Sequence, residues 1–232
     1  MRATSQGEGM PGDLKPGTEI TSASTSERIL DAAEFHFSGR GFAGAGMREI
    51  AASVDLNPAS LYNHFPSKQA LYEAVLERGL RPIFDVLDAL RSTDWSPESL
   101  NHETHTLLAR LAHRPHLARL IVHEALAGGE NLRRIARDWL RPLYSRALAT
   151  FRESPTTREW DEDDLPLLLM SFHHLVLGYF AAAPMLREVM DEDPLSPEAM
   201  ERQSRFMGKI VRLLVLDAGS GASRDGPTGT GE

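Results

Sequence analysis

The 232-residue chain contains no cysteine, which excludes a disulfide framework, thiolate metal centres and a cysteine nucleophile and fits a reducing compartment. Aromatic residues are scarce, and no stretch alternates β-branched with polar residues long enough to make a strand. A basic excess is missing too, since 25 Lys and Arg face 33 Asp and Glu, a formal net charge of −8. That balance argues against indiscriminate coating of nucleic acid but leaves room for one small, shaped DNA-reading surface. Met1 to Ser24 has no apolar core of signal-peptide type, so the expected location is cytoplasmic. Leu165 to Leu186 is mostly apolar and about as long as a bilayer-crossing helix. His173, His174 and two prolines interrupt it. A helix buried by its neighbours or by a second subunit is therefore expected, with no membrane partner.

What is present is a core's worth of apolar side chains, 41% of the chain, recurring at three- and four-residue spacing almost throughout. The fold class expected is all-α, with about nine helices. Breakers mark the divisions: Gly39 and Gly41 close the first helix, Asp55 to Pro58 separates two short ones, and Pro66-Ser67 opens the fourth. Later breaks fall at Trp95 to Pro97, His113 to Pro115, Gly128-Gly129, Ser154-Pro155, Asp191 to Pro197 and Gly219. Glycine, serine, threonine and proline dominate both ends. The organisation expected is a flexible tail over 1–24, a helix-turn-helix head over 25–81, a helical bundle over 82–216 and a second tail over 217–232.

The most informative stretch is Ser24 to Gly79. Ser24 with Glu27 forms a capping box, after which Ile29, Ala33 and Phe37 share one face. Met47, Ile50, Ala51 and Val54 fall at i, i+3, i+4 and i+7 on a second, two-turn helix. Asp55 can take a left-handed turn conformation, Asn57 is a strong N-cap, and Pro58 suits the first position of a third helix. There Leu61 and Phe65 face inward, leaving Ser60, Tyr62, Asn63 and His64 as an outward set that is entirely hydrogen-bonding. Two short helices joined by a turn of about three or four residues, the second presenting donors and acceptors, is the layout that enters a major groove. An ordinary helical hairpin accounts for the buried stripe but not for the exposed Tyr-Asn-His.

The run ERILDAAEFHFSGRGFAGAGMREIAASVDLNPASLYNHFPSKQALYEAVLERG, above all LYNHFPSKQAL, resembles the DNA-binding domain of the TetR (tetracycline repressor) family of bacterial one-component regulators. The likeness covers roughly a quarter of the chain. It rests on the Tyr-x-x-Phe of helix 3, the Ser-Lys opening of helix 4 and the Arg-x-Ile-Ala of helix 2. The resemblance implies that Arg48 and Lys68 hold phosphates while Tyr62 and His64 fix the recognition helix to the DNA backbone. It places Asn57, Pro58, Ala59, Ser60 and Asn63 nearest base edges. It also implies a homodimer on palindromic double-stranded DNA, released by a small-molecule effector. Three positions depart from the family pattern: Ser26 stands where an arginine is frequent, Gly46 where Thr or Ser caps helix 2, and Asp55 where glycine fills the turn. Residues 26–81 hold six basic and seven acidic side chains, so non-specific affinity should be modest.

Beyond Pro82 the resemblance implies a ligand-binding and dimerisation bundle. A mainly apolar effector is expected, with Trp95, His105, His123, Trp139, Tyr144, His173 and Phe180 as candidate pocket residues. Arg133, Arg134, Arg137 and Arg141 form a basic face that suits solvent better than an acidic effector. The dimer is expected on Leu165 to Met190 and Pro197 to Leu216. There Gly178 and Ala182 permit close approach, and Met200, Phe206, Met207, Ile210, Leu213 and Leu214 offer apolar surface. The nine histidines show no convergent set of three, so no metal and no cofactor are expected. No His-Glu-x-x-His, Gly-x-Ser-x-Gly or phosphate loop occurs, so no catalytic residue is assigned. The alternatives are a helical ligand-binding protein without sequence-specific DNA binding and, more remotely, a small helical enzyme. DNA binding separates the first from the regulator, and a catalytic pair would be needed for the second.

Overall fold

The computed structural model describes residues 24–157 and 160–216. Among these residues there are eleven α-helical segments, two short π-helical stretches and no strand, so the all-α expectation holds. The expected flexible tails, 1–24 and 217–232, lie outside the described residues save for Ser24, and so does the break at Gly219.

The head is built from α1 (Thr25–Gly44), α2 (Met47–Ala52) and α3 (Pro58–His64). Ser24 Oγ caps α1 by accepting from the Glu27 amide at 3.2 Å. The return half of the capping box is not made. The Glu27 carboxylate goes instead to the Arg78 guanidinium at 3.0 Å, a charge-assisted contact that a backbone amide does not match. The expected break falls at Gly41, where φ is 66° and ψ 177°, and one further turn carries the segment on to Gly44. Only glycine reaches that conformation without strain. Ile29, Ala33, Phe37, Ile50 and Leu61 are fully buried, which gathers the three short apolar stripes under one roof.

That roof is α4 (Lys68–Arg91), capped by Ser67 Oγ on the Ala70 amide. Its first half buries Leu71, Tyr72, Val75 and Leu76 against the head, while Val86 and Leu87 belong to the bundle. Pro82 sits inside α4 without ending it, although it has no N–H to offer the Arg78 carbonyl. The bundle continues as α5 (Pro97–Ala112), α6 (Pro115–Ala127), α7 (Gly129–Ile135), α8 (Arg141–Glu153), α9 (Leu165–Ala181), α10 (Ala183–Met190) and α11 (Pro197–Val211). Its inner breaks fall where glycine and proline placed them.

Two of the expected helices are divided. A π-helical stretch, Ala136–Leu140, separates α7 from α8, and the Arg141 amide reaches back five residues to Ala136. Pro142 follows, and widening the helix relieves the clash that its ring would otherwise make with the carbonyl four residues earlier. The stretch expected as one helix over Leu165 to Met190 is bent by 64° into α9 and α10, because Pro184 cannot continue the hydrogen-bond ladder. No single described helix is long and apolar enough to cross a membrane. Buried residues of α1–α4 join those of α5, α6, α9 and α11 in one continuous core, so movement in the bundle has a packed route to the head.

Candidate nucleic-acid interface and bundle cavity

The α2–α3 turn is set by three local contacts. Asp55 adopts φ 59°, the left-handed conformation expected of it, and the Leu56 amide reaches back to the Ala51 carbonyl at 2.9 Å. Asn57 Oδ1 accepts from the Ser60 amide at 2.8 Å, so the oxygen assigned to base edges is occupied in capping α3, leaving its amide nitrogen to donate. The third contact comes from α1, where Arg28 donates to the Val54 carbonyl at 3.0 Å and ties down the end of α2.

On this frame Leu61 points inward, while Pro58, Ala59, Tyr62, Asn63 and His64 are exposed and Ser60 is half-buried. His64 Nδ1 lies 3.1 Å from Ser26 Oγ. Where the family frequently has an arginine, this chain therefore has a small hydroxyl that orients the exposed His64 through its Nδ1. Gly46 caps α2 without a side-chain bond, as its lack of an oxygen requires.

The cations of the head are unequally available. Arg28 is turned to Val54, Arg40 pairs with Glu49, Arg81 with Asp85, and Arg78 with Glu27, Asp31 and Glu34. Lys68 Nζ donates to the Ala43 carbonyl at 3.2 Å and lies 4.9 Å from the centre of the Phe42 ring. Partial burial lowers its pKa from the usual lysine value. Arg48 is exposed and makes no ion pair or hydrogen bond with any described residue.

Within the bundle a cavity of about 180 Å³ is lined by α4, α5, α6, α8, α9 and α11, and its wall is almost entirely leucine, valine, isoleucine and aromatic carbon. Its polar members are Glu103 and Thr104 of α5, Tyr144 of α8 and His173 of α9. The Tyr144 and His173 rings are 5.7 Å apart. Burial lowers the His173 pKa, helped by neighbouring His174, and burial raises that of Tyr144, so both are neutral near pH 7.

Of the seven candidate pocket residues, Trp95, Tyr144 and His173 line this cavity and the other four do not. His105 is on the surface, 3.9 Å from the Glu201 carboxylate. His123 packs against Gly41, and Phe180 is buried in the main core. Trp139 borders a separate polar cleft with Tyr72, Asn131 and Arg134. Glu103 and Thr104 line the cavity without having been among the expected pocket residues. Their signal was present, since Leu100, Leu107 and Leu111 mark the inward stripe of α5 and 103 and 104 fall on it. Of the basic face, Arg133 pairs with Glu130 and Arg137 with Asp138, while Arg134 lines the polar cleft.

Among the expected dimer residues, Phe206, Leu213 and Gly178 are exposed and Ala182 and Ile210 are half-buried. Met207 is buried and forms part of the cavity wall, and half-buried Met200 and Leu214 pack on the chain's own cores. Met207 thus serves the fold of one subunit, while Met200 and Leu214 keep part of their surface open. Further apolar side chains stand exposed at Leu167, Met170, Met185, Val189 and Met190 of α9 and α10.

The family described as bacterial regulatory proteins of the tetR family matches residues 29–75, the stretch that holds α2, the turn and α3. The C-terminal domain of the HTH-type transcriptional dual regulator CecR matches residues 97–217, more than half of the chain. The chain belongs to the TetR family. The chain is 36% identical over 92 residues to the HTH-type transcriptional regulator UidR of Escherichia coli K12, covering 38% of this chain and 47% of UidR. It is 33% identical over 84 residues to the repressor KstR2 of Mycolicibacterium smegmatis, covering 36% and 41% of the two chains. The chain thus spans about half the length of the curated relatives it matches. The TetR-type architecture recurs in a Clostridium perfringens protein described as a fatty acid metabolism regulator, with a TM-score of 0.63 and 18% identity, covering 81% of this chain and 96% of that one. The hemolysin II regulator HlyIIR has a TM-score of 0.54 at 21% identity, with 77% and 96% covered. At these identities the likeness is one of fold.

Proposed function

We propose that this TetR-family protein is a DNA-binding transcriptional repressor, a cytoplasmic homodimer released from a palindromic operator by a mainly apolar small molecule, and a regulator rather than an enzyme. The observation that carries the reading is the α3 face: Ser60, Tyr62, Asn63 and His64 project together from a helix held by the Asp55 turn and the Ser26–His64 contact. Donors and acceptors in that arrangement read base edges and phosphates. In this reading 25–81 is the reading head and 82–216 the sensing and pairing bundle. Arg48 and Lys68 hold phosphates, Tyr62 and His64 fix α3 to the backbone, and Asn57, Pro58, Ala59, Ser60 and Asn63 lie nearest the bases. Gly178, Ala182, Phe206, Ile210 and Leu213 contribute to the subunit interface.

The signal passes from cavity to head through two contacts. Leu117 and Ile121 of α6 line the cavity, and α6 also carries Glu124, whose carboxylate accepts from the Phe42 amide at 2.7 Å just beyond the Gly41 kink. Leu117 also packs so closely on Gly79 of α4 that a Cβ there would lie 2.6 Å from its Cδ1. A ligand that shifts α6 moves α1 and α4 together, and Pro82 is the natural flexing point of α4. Effector binding then respaces the two recognition helices and disfavours the DNA-bound state by differential affinity.

The test is binding to the DNA upstream of the protein's own gene, against scrambled DNA of the same composition, measured by fluorescence anisotropy across salt concentrations. Preference for the natural sequence by about 10³-fold or more is expected. Equal affinity for both, or none at low salt, would leave a ligand-binding protein without sequence-specific DNA binding.

A further inference from the structure

Resting on the reading of the bundle cavity as the effector site, we propose that the effector is an amphiphilic cation, an amine or quaternary ammonium on an apolar body, and that Glu103 of α5 selects it. Among the described wall residues Glu103 is the one formal charge, and no Lys or Arg joins it. It is half-buried and has no hydrogen-bond or ion-pair partner among the described residues. On the same helices Asp85 pairs with Arg81 and Arg110, Asp88 with Arg146, and Glu153 with Arg91, and exposed Glu77 and Glu98 have no such partner but lie away from the cavity, so Glu103 is the unpaired carboxylate in its wall. With no protein partner beside an apolar wall, the Glu103 carboxylate is open to a ligand cation whose apolar body the wall receives. The aromatic rings of Trp95, Phe151 and Phe172 in the same wall also attract a cation.

An anionic ligand finds no counter-charge there. His173 is held neutral by burial and by His174, and Thr104 and Tyr144 offer hydroxyls alone. A carboxylate headgroup would meet the negative charge of Glu103 instead. The cavity chemistry thus favours an amine over an acid of equal length.

The experiment uses the full chain and three probes with one tail, n-octylamine, n-octanol and n-octanoate, each below its aggregation concentration. Kd is read by calorimetry and checked by the rise in melting temperature. Octylamine should bind about tenfold or more tighter than octanol, a typical size for a partly desolvated charge-assisted contact. Octanoate should bind most weakly, and octanol should compete with octylamine for one site. Glu103→Gln should bring octylamine to the octanol level and leave octanol unchanged. Equal binding of amine and alcohol, tightest binding of octanoate, amine preference surviving in Glu103→Gln, or non-competitive amine binding overturns the charge assignment and leaves the cavity reading standing. Failure of all three probes to bind overturns the cavity reading and the proposal together.

Discussion

Arg48 is the head cation that no described residue holds, whereas Lys68 is already engaged by the Ala43 carbonyl and the Phe42 ring. Arg48→Ala should therefore weaken binding to every DNA sequence alike and reduce the salt slope by about one phosphate. Lys68→Ala should act in the same direction, whereas Ser60→Ala and Asn63→Ala should alter which bases are preferred. Anisotropy titrations on a panel of operator variants separate the two behaviours, and an unchanged salt slope in Arg48→Ala would remove its phosphate role. At Gly41 the constraint is steric. Its φ of 66° excludes other residues, and a Cβ there would lie 2.7 Å from His123 Nε2. Gly41→Ala should cost about 1–3 kcal/mol of stability by urea unfolding. The sequence signalled a break at Gly41 but not its partner His123, since 82 residues separate them and nothing local records the contact.

At the scale of elements, α6 does the most to join the two halves of the chain. It packs along α1, lines the cavity with Leu117 and Ile121, and closes on Phe42 through buried Glu124. Removing that carboxylate leaves the Phe42 amide without its acceptor, so Glu124→Ala should lower stability by about 1–3 kcal/mol. If α6 carries the signal, the variant should also blunt effector-driven release of DNA. His116, also on α6, is half-buried with its ring against Phe35, and burial lowers its pKa from the ordinary 6.5, outweighing the opposing charge of Glu34 and aided by Arg119. The folded state therefore takes up its proton at lower pH than the unfolded chain does. Stability from this group is present above about pH 6.5 and is lost as pH falls through its folded pKa. Urea midpoints measured between pH 7.5 and 5 should fall less steeply in His116→Asn than in the parent protein.

For the whole molecule, the proposed repressor depends on pairing. Phe206 and Leu213 are 53% and 59% exposed, and Val189 reaches 74%, large apolar side chains that a second subunit would cover. Leu213→Glu should shift sedimentation from dimer to monomer at micromolar concentration. Operator affinity should fall with it, because each half-site alone offers half the contacts. A variant that remained fully dimeric would place the interface elsewhere.

Helix identity, the turn at Asp55, the caps at Ser24, Asn57 and Ser67, and the inward stripes of the head were all determined by the sequence. Each follows from a local preference of a few neighbouring residues: a left-handed turn, a side-chain oxygen near a free amide, or apolar spacing near 3.6. The same local reasoning placed most helix breaks, because proline and glycine act on their own backbone. Tertiary structure decided what depends on distant partners. It sent Glu27 to Arg78 instead of back to its own cap, turned Lys68 toward Ala43, and put Met207 in the core when Phe206 beside it faces out. It gathered Trp95, Tyr144 and His173 around one cavity with Glu103, and it left His105, His123, Trp139 and Phe180 elsewhere. Helical periodicity specifies which residues share a face, while which faces meet is settled only by the packing of whole helices against one another.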